Sequence, residues 1–187
     1  EEHPAKLSTN QIKDLQRQLL QAQTNLAKKL NLPLIIHCRN GNDPITENAW
    51  AEVFDIIGDH YGILHCYSGD EIITQKALNS RFLVSFAANI TYPKNQYLRD
   101  AAIQLPLSKI VLETDCPFLS PQKTRGQRNE PASVLLIAQL ISELKSVPLE
   151  QVIDQKEEAK QLPFLVQDKV KDVFYQLLHP TYTLSQA

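Results

Sequence analysis

At 187 residues, with 43% hydrophobic and 21% charged residues, the chain has the make-up of one soluble globular domain with a sizeable core, which excludes a disordered protein. A formal charge of -2 gives no global attraction for a polyanion, so any nucleic-acid binding must come from local basic groups and a bound cation. No apolar run approaches the roughly 20 residues that span a bilayer, and Glu1-Glu2-His3-Pro4 does not open a signal peptide, so a cytoplasmic protein is expected.

In chain order, residues 8 to 31 predict an amphipathic helix. Ser8 with Gln11 three residues later forms a capping-box pattern, and Ile12, Leu15, Leu19, Ala22, Leu26 and Leu30 recur at helical spacing. Pro33 opens a first strand through Leu34-Ile35-Ile36 to His37, followed by a polar loop from Cys38 to Pro44. A second helix is predicted over Thr46 to Ile57, with Ala49, Trp50, Val53, Phe54 and Ile57 apolar and Gly58 as its stop. Gly62-Ile63-Leu64 runs as a second strand into His65, and a short helix follows with Ile72, Ile73, Ala77 and Leu78. The third strand is Phe82 to Phe86, the next helix Asn95 to Leu105, and the fourth strand Ile110 to Glu113. After a long loop from Cys116, Pro131 suits the first turn of a helix to about Lys145. Gln151 to Gln161 reads as one more helix, with Leu149, Val152 and Ile153 apolar, and residues 163 to 187 as a terminal helical extension.

Helix, then strand and helix four times over, is the repeating unit of an α/β barrel or a doubly wound sheet. The four strands read as one domain over residues 1 to 187 and amount to half of an eight-stranded TIM-type barrel. A half barrel exposes two sheet edges and an apolar interior, and the chain contains no methionine even at position 1, so an earlier half supplied by upstream sequence or another copy is expected.

Three strands end on residues that can hold a metal: His37, His65 and the Glu113-Thr114-Asp115 run. Loops leaving the carboxyl ends of parallel strands gather at one rim, so residues distant in sequence converge there. Cys38, Cys66 and Cys116 each follow a candidate ligand. Their odd number and lack of framework spacing indicate reduced thiols, read as small buried residues pointing away from the ligand side if the strand alternation continues. Arg39, Arg125 and Arg128 are candidates to clasp substrate phosphates, against the alternative of pairing with Asp43, Glu130 or solvent. Ser68 and Thr114 lie outside any nucleophile elbow, and His60 and His179 read as surface residues.

The segments Pro33-Leu34-Ile35-Ile36-His37-Cys38-Arg39, His65-Cys66-Tyr67-Ser68-Gly69, Leu112-Glu113-Thr114-Asp115-Cys116-Pro117-Phe118-Leu119 and Arg125-Gly126-Gln127-Arg128-Asn129-Glu130-Pro131-Ala132 together resemble the TatD family of metal-dependent deoxyribonucleases. The resemblance runs from about Gln16 to about Val152 and implies a distorted eight-stranded α/β barrel of the metallo-dependent hydrolase type, with two divalent metal ions (Zn, Mg or Mn) at its rim. It implies His37 and His65 on one ion, and Asp115 on the other while polarising the attacking water. Glu113 is expected to orient a ligand rather than bind metal. The family's H-x-H pair and bridging Glu have no counterpart here, so these residues are the later ligands of a divided site.

The expected activity is hydrolysis of DNA phosphodiester bonds, single-stranded or at ends, by metal-activated water with Asp115 as proton acceptor. The competing expectations are a metal-dependent amidohydrolase acting on a small molecule, and a half barrel that has lost catalysis.

Overall fold

The structure, a computed structural model, describes residues 8–40 and 48–153. The predicted start of the second helix at Thr46, the helix beyond Ile153, the 163–187 extension, His3, Asp43 and His179 lie outside the described residues.

Four strands form one parallel sheet in the order β1 (Leu34–His37), β2 (Tyr61–His65), β3 (Arg81–Phe86) and β4 (Ile110–Leu112). Between and around them run α1 (Thr9–Leu30), α2 (Ala49–Ile57), α3 (Glu71–Asn79), α4 (Gln96–Gln104), α5 (Val134–Lys145) and α6 (Leu149–Ile153). Strand order equals chain order throughout, as the wall of a barrel requires.

Register sets which side chains share a face. His37 pairs with His65, Ile63 with Leu83 and Ser85 with Val111, and the Glu113 amide still donates to the Phe86 carbonyl at 3.1 Å beyond the end of β4. Because alternate residues point to opposite faces, Ile36, Leu64, Phe82, Val84, Phe86 and Ile110 lie on the helix-covered side. There they pack with Trp50, Ile57, Ile73, Leu98, Ala102 and Ile137. Burying each such large apolar side chain contributes roughly 1.5–3 kcal/mol. Ile35, Ile63, Leu83 and Val111 share the other face with His37, His65, Ser85 and Glu113, so every candidate strand-end ligand lies on the side away from the helices.

Local signals place the helices. The Ser8 hydroxyl accepts from the Gln11 amide while the Ser8 amide donates to Gln11 Oε1 at 2.8 Å, so the predicted capping box closes α1. Asn48 and Asp70 cap α2 and α3 by accepting from the amides three residues on. Gly58 ends α2 with φ +58°. The Pro131–Ser133 segment is a single 3₁₀ turn leading into α5.

Three side-chain placements differ from the sequence reading. On α1 the apolar series Ile12, Leu15, Leu19, Ala22, Leu26 and Leu30 is exposed, whereas Leu20, Thr24 and Ala27 turn inward. That narrower stripe faces inward, and at its edge the Arg17 guanidinium donates to both oxygens of Glu52 on α2 at 2.6 and 2.9 Å. On α3, Ile72 is 69% exposed while its neighbour Ile73 is fully buried, because adjacent helical positions lie about 100° apart. His60 is buried rather than superficial. Its Nε2 donates to the Leu32 carbonyl at 2.8 Å, and Tyr61 Oη donates to the Asn31 carbonyl at 2.7 Å, so the start of β2 holds the turn between α1 and β1.

Candidate metal centre

The ends of β2 and β4 deliver a carboxylate–histidine–carboxylate row. Glu113 Oε2 accepts from His65 Nδ1 at 2.5 Å, and Glu113 Oε1 accepts from the Cys66 amide at 2.5 Å. On the far side of the ring, His65 Nε2 stands 3.2 Å from Asp115 Oδ1. The ligand atoms of His65, Glu113 and Asp115 all lie within 4.8 Å of one another, the one such group among the described residues.

This row has a chemical consequence. A neutral imidazole carries one N–H, and the short contact to Glu113 claims it at Nδ1. Nε2 then presents a lone pair to a carboxylate oxygen at a distance where two acceptors repel. The arrangement is satisfied by positive charge in the gap, either a proton that makes the ring an imidazolium or a cation bound jointly by Nε2 and Asp115. A histidine whose second nitrogen is held by a carboxylate is the usual partner of a divalent metal, so the donor set fits one.

Asp115 adopts a left-handed conformation, φ +52°, as does Cys66 with φ +46°. Such values cost energy for non-glycine residues and persist where surrounding bonds hold them. Asn129 provides that hold beside Asp115. It is 3% exposed, and its Nδ2 donates to the carbonyls of Thr114 at 2.6 Å and Phe118 at 2.7 Å, while its Oδ1 accepts from the Glu130 amide at 2.9 Å. Ser85 supports the row from below: it is 1% exposed and its hydroxyl donates to Glu113. Burial raises the Glu113 carboxyl above its ordinary range, against the opposing pull of His65, the Cys66 amide and Ser85.

Sequence reading singled out neither Asn129 nor Ser85. Ser85 leaves a signal, as the polar member of the apolar run Phe82 to Phe86 that shares parity with the strand-end ligands. Asn129 leaves a weaker one, inside a loop of prolines and charges, because its role depends on the carbonyls of Thr114, Phe118 and Leu119, brought to it by folding.

The remaining expected residues stand outside the row. His37 is exposed at the end of β1, its ring centroid 5.7 Å from that of His65. Arg39 is exposed beyond it, and a cleft of about 510 Å³ along the outer edge of β1 reaches both, lined also by Arg17, Leu20 and Glu52. That cleft does not include the His65 row. The Arg125 guanidinium lies over the Tyr92 ring, 4.5 Å from its centroid, so it meets an aromatic face. Arg128 is exposed in the same loop.

All three cysteines are free thiols. Cys38 and Cys66 are buried as expected, but Cys116 is exposed, and Cys66 does not turn away from the ligands. The left-handed backbone at Cys66 ends the strand alternation, and its thiol bonds to Asp115. Burial pushes the Cys38 thiol up to about 12.

A family profile described as TatD related DNase matches residues 4–164. The chain belongs to the TatD family. The metal-dependent hydrolase YabD of Bacillus subtilis, itself uncharacterized, is 34% identical over 151 residues, covering 80% of this chain and 58% of YabD. Human deoxyribonuclease TATDN3 is 33% identical over 151 residues, covering 81% of this chain and 52% of TATDN3. The crystal structure of YjjV, a TatD homologue from Escherichia coli K12, superimposes with a TM-score of 0.68 at 25% identity, over 83% of this chain and 59% of YjjV. The chain thus spans about half the length of the curated relatives it matches. Its fold is α/β of the TIM-barrel type that TatD hydrolases share, with four parallel strand–helix units present among the described residues. No helix among those residues is long and apolar enough to cross a membrane.

Proposed function

We propose that this chain carries part of the active site of a metal-dependent phosphodiesterase acting on DNA. The observation that carries the reading is the row itself: one imidazole with carboxylates at both ring nitrogens, 2.5 Å and 3.2 Å away, at the carboxyl ends of parallel strands. The nuclease name of TATDN3 and the exposed Arg39, Arg125 and Arg128 favour a phosphodiester over an amide substrate.

His65 and Asp115 would hold a divalent ion, which would supply Lewis-acid stabilisation of phosphate charge and an acidified water. The chain's own residues supply the rest. Glu113 fixes the proton of His65 on Nδ1 and so keeps Nε2 available for coordination. Asp115, held in its left-handed turn, accepts the proton of the attacking water. His37, on the same face of the sheet one strand away, adds a second imidazole, and two ions in the whole protein remain the fuller form of the reading. Arg39, Arg125 and Arg128 neutralise phosphates on either side of the scissile bond. No protein nucleophile is required.

The test is cleavage of a single-stranded oligonucleotide by the purified protein with and without divalent metal. Cleavage is expected to need metal and to fall by two orders of magnitude or more in both His65→Ala and Asp115→Ala. Persistence in both variants removes the site assignment. Metal-dependent hydrolysis of small amides with DNA untouched replaces the nuclease reading by an amidohydrolase.

A further inference from the structure

We propose that Asn89 holds the attacking water, its Oδ1 accepting one O–H of a water whose other O–H points to Asp115; the inference rests on the metal-dependent hydrolysis proposed above. The row of His65, Glu113 and Asp115 comes from the ends of β2 and β4, and β3 runs between those two strands. Asn89 follows Phe86, the last residue of β3, on the 3₁₀ turn Ala88–Thr91. It therefore leaves the same rim, between the two strands that deliver the row.

Contacts tie its carboxamide to the row. Asn89 Nδ2 donates to Cys66 Sγ at 4.0 Å, and Cys66 in turn meets both carboxylates: its thiol bonds to Asp115, and its amide donates to Glu113 Oε1 at 2.5 Å. A thiol has one proton. With that proton directed to Asp115 the sulfur can only accept, so Nδ2 is the end of the amide that faces Cys66. The other end, Oδ1, is buried and has no hydrogen-bond partner among the described residues. The mount is rigid. The Asn89 carbonyl accepts from Asn95 Nδ2 at 2.9 Å and from the Tyr92 amide at 3.1 Å, and Arg99 Nη1 donates to the carbonyls of Ile90 at 2.7 Å and Tyr92 at 2.8 Å.

A buried acceptor with no partner carries the full cost of its lost hydration, so it calls for a donor that the described residues do not supply. Water is that donor. A buried water needs roughly two to four polar partners, and Oδ1 and Asp115 are acceptors for its two protons. With both O–H bonds engaged, a lone pair of the water oxygen is turned away from them and towards the phosphorus. The water oxygen bonds to phosphorus as the bond to the leaving sugar oxygen breaks. One proton passes to Asp115, and the other stays on the new phosphate hydroxyl beside Asn89. The leaving oxygen takes a proton from solvent, and Asp115 returns its own there. Orienting a reacting atom in this way speeds the chemical step without adding to substrate binding, so Asn89 acts on kcat rather than KM.

The experiment compares wild type, Asn89→Leu and Asn89→Asp by oligonucleotide cleavage, by calorimetric titration with the divalent ion and by urea unfolding. Leucine has nearly the shape of asparagine and no acceptor, whereas aspartate keeps one. Asn89→Leu is expected to lose about tenfold to a hundredfold in kcat with KM unchanged. It is expected to bind the metal as wild type does and to be no less stable, because an apolar group replaces a buried oxygen that had no partner. Asn89→Asp is expected to recover most of the rate. The inference is refuted, and the nuclease reading stands, if Asn89→Leu keeps the wild-type kcat, if its loss of rate follows weaker metal binding, if it is markedly less stable than wild type, or if Asn89→Asp is no faster than Asn89→Leu. If wild type with metal cleaves no oligonucleotide, the nuclease reading fails, and the inference with it.

Discussion

Glu113→Gln separates a positioning role from a mere electrostatic one. Besides the Ser85 hydroxyl, the carboxylate of Glu113 accepts from the Cys66 amide and from His65 Nδ1, each at 2.5 Å. A glutamine has one acceptor oxygen and one donor nitrogen at those positions. The Cys66 backbone N–H can only donate, so the carboxamide oxygen is held there and the NH₂ group turns to His65. Nδ1 must then accept, the ring proton moves to Nε2, and the lone pair facing Asp115 is lost. Loss of such a partner typically weakens metal binding 10- to 100-fold, which is about 1.4 to 2.8 kcal/mol. Alanine, by contrast, leaves room for water, which can accept from Nδ1 and preserve the correct tautomer. Calorimetric titration of the purified protein with a divalent ion should therefore rank Glu113→Gln at least as damaging as Glu113→Ala. Wild-type affinity in Glu113→Gln, or much weaker binding in the alanine variant alone, would refute control of the tautomer by Glu113.

Gly62→Ala tests the close approach of β1 and β2: an added Cβ would stand 1.9 Å from the Leu34 carbonyl oxygen on neighbouring backbone, and a loss of about 1–3 kcal/mol or more is expected in urea unfolding. Asn129→Ala removes the donor to the Thr114 and Phe118 carbonyls, so a loss of about 1–3 kcal/mol, with weakened metal binding from a relaxed Asp115 turn, should appear in the same assay and in titration. Iodoacetamide at pH 8 should add one label per native chain, at the exposed Cys116, because Cys38 and Cys66 are buried and burial keeps their thiols protonated. Peptide mass spectrometry reads this directly, and rapid labelling of Cys66 in the native protein would contradict its burial.

The sequence by itself determined the elements and their order, because those follow from local rules. Runs such as Leu34 to Ile36 and Ile110 to Leu112 favour buried parallel strands, and Ser8, Asp70 and Gly58 punctuate helices by their own hydrogen bonds or backbone freedom. It also determined that His37, His65 and Asp115 lie at strand ends, since a parallel sheet brings successive strand ends to one rim. Tertiary structure decided what those ends touch. That both nitrogens of His65 face carboxylates follows from the register of β2, β3 and β4, which no periodicity encodes. The same limit explains α1: its spacing predicts a helix and an apolar series, but packing uses the Leu20, Thr24 and Ala27 side and leaves the leucines exposed. Asn129 is illegible for a related reason, because its partners are carbonyls gathered from one strand end and the loop beyond it. Periodicity reports which residues share a face; only packing reports which face is used and which partners meet there.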